Sequence, residues 1–347
     1  MRDIINRISE EIVSHSERLA GQAVLSNDVP CNIHPFSLSN FKNVRLDNSV
    51  KELAFVDGGS AEIVSSSSFS VYFIKVSCVI YVENLKTKVI SKSYFVLTKA
   101  ECEDKTVFVS KVFSCDDGKN FMIKFDPSDK TLKDGINNAE LSKLGGVIRR
   151  FIELKFSEEI VEMLKSNSVL VLDGSLQCNY VGEKQFMDGL ISAAKLKGVL
   201  LVAISKTNSL LTDTGASVDQ VLKVMTKDLP ENFNMWFYHP LIRVNSDDYP
   251  ADVTMAKLHK RSKHVFKIEI CNKFDLVNYN KLFGCLALNS SDPVFLGYPY
   301  GLIKADETAR VENEFAEYIR MHFLKNIDAD DLESSKNAHQ ILDKIRF

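Results

Sequence analysis

The chain has 347 residues, with 43 Lys+Arg against 46 Asp+Glu, a net charge of −3 and 45% apolar residues. Its pI is about 6.2 and its mean hydropathy is −0.07, an ordinary globular composition that folds to a radius of gyration of roughly 20 Å and needs no metal or disulfide staple. No apolar run approaches the ~20 residues of a membrane span, and the mild acidity argues against a generic nucleic-acid coat protein, which carries a basic excess.

Residues 1 to 25 place Ile4, Ile5, Ile8, Ile12 and Leu19 at three-to-four spacing among charges and predict an amphipathic helix. The polar opening lacks a signal peptide's apolar core, so the expected location is cytoplasmic. A loop-like stretch with Pro30 and Pro35 leads to a first core strand, Leu53 to Val56, and a turn at Asp57-Gly58-Gly59-Ser60. The β-rich runs Phe69 to Glu83 and Thr87 to Leu97 predict an antiparallel pair turning at Asn84-Leu85-Lys86. Short strands are expected over 105–114 and 119–125, around Asp117-Gly118. From Asn137 to Lys165, the positions Leu141, Leu144, Ile148, Phe151, Ile152 and Leu164 mark a long helix.

The pattern then changes. Val169 to Leu172 is a short apolar strand ending in Asp173-Gly174-Ser175, Glu183 to Lys197 is a helix, and Gly198 to Ser205 is a second buried strand. Such alternation signals parallel strands joined by crossover helices. A helix near 216–226, strands near 233–245, 252–258 and 264–271, and helices near 278–288, 304–325 and 333–346 complete the chain. This is the order of an RNase H-like α/β core, a mixed central sheet flanked by helices, with N- and C-terminal helical additions. Residues 1–50 are expected to form a helical or extended N-terminal segment, 51–325 the core domain and 326–347 a C-terminal helix. The seven cysteines form no CxxC pair, so scattered reduced thiols are expected rather than a zinc ribbon or disulfide framework.

Two segments repeat one pattern: FVDGGS (Phe55 to Ser60) and VLDGSL (Val171 to Leu176) each put a carboxylate after an apolar run, followed by glycine. Neighbouring strands would bring Asp57 and Asp173 together. Clustered carboxylates repel and call for cations, and oxygen-only ligation suits Mg²⁺ or Mn²⁺. Two such ions about 4 Å apart can activate water and stabilise a leaving oxygen in phosphodiester hydrolysis. Further acids should come from flanking helices. Glu153, within RRFIEL, is one candidate, with Glu140, Glu158 and Glu159 as alternatives; an ion pair with Arg149 accounts for Glu153 as well. Asp306, expected to open a helix beginning near Lys304, is another, and the helix dipole alone would favour an acid there.

VDGGS, RRFIEL, VLVLDGSL, VAISK (Val202 to Lys206) and GYPYGLIKAD (Gly297 to Asp306) fall in the order seen in the NurA nuclease family, which the chain resembles from about residue 52 to 310. That resemblance implies an RNase H-like, manganese-dependent nuclease that processes DNA ends in double-strand-break repair. It also implies a homodimer working beneath a hexameric HerA-type translocase. By position it assigns two Mn²⁺ ions to Asp57, Glu153 and Asp173, and gives Tyr298 a supporting or substrate-contacting role. The family commonly has histidine eight residues after that tyrosine, where this chain has Asp306, itself a competent ligand.

Lys206 would approach the scissile phosphate. The stretch Lys257 to Lys267, with Lys257, Lys260, Arg261 and Lys263 and no acid, is the best phosphate-tracking segment; an edge-protecting strand is its competing explanation. No GxxxxGK[ST], GxGxxG, HExxH or GxSxG occurs, so unwinding would require a separate motor. The expected function is a metal-dependent deoxyribonuclease. Its rivals are a non-catalytic adaptor or DNA-threading subunit of the translocase, and an RNase H-like phosphodiesterase acting on RNA.

Overall fold

Alternation along the central strands decides the architecture. Ala54, Val56, Leu170, Leu172, Leu201 and Ala203 pack into one apolar cluster, while Phe55, Val171, Val202 and Ile204 pack into another. A strand divided this way needs cover on both faces of its sheet. In the computed structural model, which describes residues 1–16, 22–24, 29–116, 120–133, 135–207, 210–230 and 232–326, helices supply that cover. The expected helix at 333–346, the turn at Asp117-Gly118 and Leu19 of the first helix lie outside the described residues.

The chain opens with α1 (Arg2–Ser16), β1 (Ala23–Val24), β2 (Cys31–Ile33) and β3 (Phe41–Asn43). Four long strands and a shorter one follow: β4 (Leu53–Ser65), β5 (Phe69–Val82), β6 (Leu85–Cys102), β7 (Thr106–Ser114) and β8 (Phe121–Phe125). Then come α2 (Leu144–Met163), β9 (Val169–Asp173), α3 (Glu183–Lys197), β10 (Leu200–Ser205), β11 (Leu211–Thr212) and α4 (Val218–Met225). The last described elements are β12 (Trp236–Val244), β13 (Ala251–Lys257), β14 (Phe266–Cys271), α5 (Tyr279–Asn289), α6 (Tyr300–Ala309) and α7 (Asn313–Leu324).

Twelve strands form one sheet in the order β2-β12-β13-β14-β10-β9-β4-β5-β6-β7-β8, with β3 also paired to β12. At its centre β9 runs parallel to β4 and β10, and β10 is antiparallel to β14. The sheet is therefore mixed and flanked by helices, as expected. The helices α2 and α3 cover the face of Ala54 and Leu172; α5 and α6 cover that of Phe55 and Val171. Buried residues fall on most sides of α2, which marks a helix largely enclosed by the core.

Several boundaries differ from those expected, each for a tertiary reason. The loop-like N-terminal stretch contributes β2 and β3 to the sheet edge, burying Phe41 against Trp236 and Tyr238. The β5–β6 turn is Glu83-Asn84, both at positive φ (50° and 59°), as a two-residue hairpin demands. Asn84 is tied there by Asn289, whose amide donates to it at 3.0 Å. The helix expected over 304–325 is two helices, α6 and α7, broken at an extended Arg310-Val311-Glu312. Val311, Ala316, Ile319 and Phe323 dock on Phe73, Phe95 and Leu97 of the long strands, which turns α7 away from the line of α6. By contrast, α1 leaves Ile4, Ile5 and Ile8 exposed rather than packed on the core.

Candidate metal centre

Register places the two repeated motifs side by side. Pairing between β4 and β9 runs to Val56 opposite Leu172, so Asp57 and Asp173 come next on the same face. The two strands then part. Asp173 is the last residue of β9, whereas β4 continues through Gly58, Gly59 and Ser60, still paired with β5. The turn expected at Asp57-Gly58-Gly59-Ser60 is therefore strand, kept extended by its antiparallel neighbour.

The residues Asp57, Asp173 and Asp306 each offer a carboxylate oxygen within 4.8 Å of the others. Asp306 does not open its helix: α6 begins at Tyr300, so the aspartate lies in the second turn. Its backbone carbonyl accepts the capping N–H of Arg310, whose guanidinium also donates to Asp306 Oδ2 at 3.0 Å. Tyr298, 2% exposed, precedes the helix and donates its hydroxyl to Asp173 Oδ1 at 3.3 Å.

Lys206, the first residue after β10, projects among all three acids. Its Nζ lies 2.7 Å from Asp173 Oδ2, 3.2 Å from Asp306 Oδ1 and 4.0 Å from Asp57 Oδ2. Burial pushes the Asp57 carboxyl up to about 8, helped by the charges of Asp173 and Glu153 and opposed by the Gly58 N–H and Lys206. At Asp306 burial acts upward too, but Lys206 and Arg310 outweigh it and hold the carboxyl below its ordinary value. Tyr298 is raised by burial and by the carboxylate it faces.

Glu153 enters from α2, on the opposite face of the sheet, and is not one of those three close acids. It lies against Gly58, where a Cβ would come 2.4 Å from its Oε1; the glycine is what admits this acid beside Asp57. Burial raises its carboxyl against the pull of Arg149 and Arg150. The other acids weighed with it point elsewhere: Glu159 pairs with Lys92, Glu140 accepts from Ser142 and Glu158 lies against Gly189.

Two networks that the sequence did not reveal hold the loop after Asp173. Fully buried Glu269 accepts from Ser175 Oγ (2.8 Å), Leu176 N–H (2.7 Å), Tyr249 hydroxyl (2.6 Å) and Lys267 Nζ (2.7 Å). Arg150 donates to the Ser175 carbonyl at 2.6 Å and to Glu183 at 2.9 Å. An acid inside the apolar strand FKIEIC was the available signal, because a buried carboxylate is costly unless satisfied. Arg150, Ser175 and Glu183 border a polar cavity of about 250 Å³ that also reaches Glu153 and Asp173. A larger one of about 550 Å³, beside Phe237, His239 and Tyr279, contains none of the acids, so chemistry rather than volume locates the site.

The basic stretch joins the same end of the sheet. Ser205 pairs with Lys267, so the 258–265 connection ends beside the end of β10 and Lys206. Ser262 lies against Gly297 and His264 against Phe295, just before Tyr298. Lys260, Arg261 and Lys263 are exposed and have no carboxylate partner among the described residues; Lys257, at the end of β13, is half-buried.

No family model and no curated protein matches this chain in sequence. In three dimensions it is similar to the NurA nuclease from Sulfolobus solfataricus, with 14% identity over 94% of this chain and 96% of that one and a TM-score of 0.51. Weaker similarity extends to Endonuclease V from Ciona intestinalis in complex with inosine-containing DNA, 12% identical over 93% of this chain and all of that one, TM-score 0.38. It extends also to the Argonaute of Aquifex aeolicus, 10% identical over 76% of this chain and 28% of that one, TM-score 0.30. The first match shows the fold alone: a mixed α/β sheet flanked by helices, arranged as in that structure.

Proposed function

We propose that this chain is a divalent-metal-dependent nuclease that cleaves DNA phosphodiesters. The observation that carries the reading is the convergence of Asp57 and Asp173, where the parallel pairing of β4 and β9 ends, with Asp306 on a helix of a nuclease-like fold. The donor set fits the ion: three carboxylates, with no thiolate or imidazole among them, match a hard cation such as Mn²⁺ or Mg²⁺. When bound, such ions activate a water and neutralise charge on the scissile phosphate.

The chain's own residues do the rest. Asp57, Asp173 and Asp306 hold the ions, with Glu153 available from the opposite face where a second ion would need it. Tyr298 orients Asp173 through its hydroxyl. Lys206 supplies positive charge beside the scissile group, and Lys257, Lys260, Arg261 and Lys263 follow the phosphates of the bound strand. The motif resemblance supports a finer reading: Mn²⁺ as the working metal, resection of DNA ends, a homodimer, and a hexameric HerA-type ATPase as motor.

Digestion of end-labelled DNA with Mn²⁺ tests this. Wild type should cleave, and Asp57→Asn and Asp173→Asn should each lose at least about 100-fold in rate, roughly 2.7 kcal/mol of transition-state stabilisation. Undiminished cleavage by both variants would sink the assignment. Binding of DNA with no metal-dependent cleavage by wild type would favour the adaptor reading, which the lysine seated among the carboxylates also suits.

A further inference from the structure

We infer that Lys206 is the resident counter-ion of the three-aspartate cluster and that a divalent ion loads by displacing it, so that this lysine sets the metal concentration at which the centre fills. The inference rests on the metal reading above.

Among the described residues, every ion pair that Lys206 makes is with one of the three aspartates, at 2.7, 3.2 and 4.0 Å. Its backbone is not free to withdraw. Ser205 is in register with Lys267 and donates its hydroxyl to the Gly174 carbonyl at 2.7 Å, so β10 is tied to the loop after Asp173. The side chain is only half-buried, which leaves the ammonium a way out toward solvent.

An ion ligated at about 2.1 Å by the oxygens that Lys206 now contacts would lie within roughly 5 Å of the ammonium. A +1 and a +2 charge that close, in a half-buried site, repel strongly. The guanidinium groups nearby contact at most one of the three aspartates and impose no such exchange. Arg310 takes the outer oxygen of Asp306, Arg149 donates to the Gly58 carbonyl, and Arg150 is locked between Glu183 and the Ser175 carbonyl. Among the described residues Lys206 alone contacts all three aspartates, so removing its charge should strengthen metal binding, whereas removing a ligand should abolish it.

The test is calorimetric titration of the full chain with MnCl₂ alone at pH 8, paired with melting curves with and without Mn²⁺. Lys206→Met should bind Mn²⁺ about tenfold more tightly than wild type, the equivalent of about 1.4 kcal/mol. It should also melt lower without added metal and gain more on Mn²⁺ addition. Lys206→Arg, which keeps the charge, should remain near wild type, and Asp173→Asn should give no binding heat. If Lys206→Met melts cooperatively yet binds Mn²⁺ no more tightly than wild type, while Asp173→Asn still fails to bind, the displacement idea is wrong and the metal centre stands. If neither wild type nor Lys206→Met binds Mn²⁺, both fall together.

Discussion

At Asp57 a single proton would link stability to the metal binding proposed above. An aspartate ordinarily titrates near 3.8, and here burial first, then Asp173 and Glu153, push it to about 8. The folded chain thus holds this proton more tightly than the unfolded one. The stability it confers is complete below about pH 4 and is lost as pH rises toward 8. A divalent ion needs the ionised form, so Mn²⁺ affinity should climb across that window and level off above it. Without added metal, wild-type melting temperature should fall between pH 5 and 8 and level off above. Asp57→Asn should flatten that fall and be about 1–2 kcal/mol more stable at pH 8.5, one unit of pKa being about 1.4 kcal/mol. Fluorescence melting over a pH series decides it: an equal decline in both proteins would show that another group carries the proton.

The central pairing of elements is β4 with α6, which brings Asp306 to Asp57. It depends on the second glycine of the DGGS motif. A Cβ on Gly59 would come 2.3 Å from the carbonyl oxygen of Ala309 at the end of α6. That atom is backbone and cannot rotate aside. Gly59→Ala should therefore cost about 2–3 kcal/mol in urea unfolding, as overpacking does, and should weaken Mn²⁺ binding by moving Asp306. An unchanged midpoint would mean that α6 shifts freely. At this scale most of the strands and helices were readable from periodicity, including β9, α3 and β10. The α6–α7 break was not, because a single helical pattern spans both; docking of Val311 and Ile319 on the long hairpin broke it.

Over the whole molecule a net charge of −3 masks a local separation of sign. The acids converge where the pairing of β4 with β9 ends, where two divalent ions would more than offset that net charge, and the 258–265 connection with its exposed cations ends beside the neighbouring β10. Among the described residues no helix is long and apolar enough to cross a membrane. Replacing Lys260, Arg261 and Lys263 with alanine should weaken binding of duplex DNA similarly for all sequences. For every phosphate that these cations neutralise, the slope of log affinity against log salt should become shallower by about 0.9 in the variant. Fluorescence anisotropy between 50 and 200 mM salt measures this; an unchanged slope would free the loop of any such role.

By itself the sequence determined the alternation of strand and helix, the two Asp-Gly motifs and the lysine ending VAISK, because these are local patterns of polarity written in consecutive residues. Only the tertiary structure decided that Glu153 enters from the opposite face beneath Gly58, and that Glu269 and Arg150 clamp the loop after Asp173. It also decided that Lys206 stands among the carboxylates rather than beside them. These relations join residues 100 or more positions apart in places, and strand register and helix docking set them, neither of which local periodicity encodes.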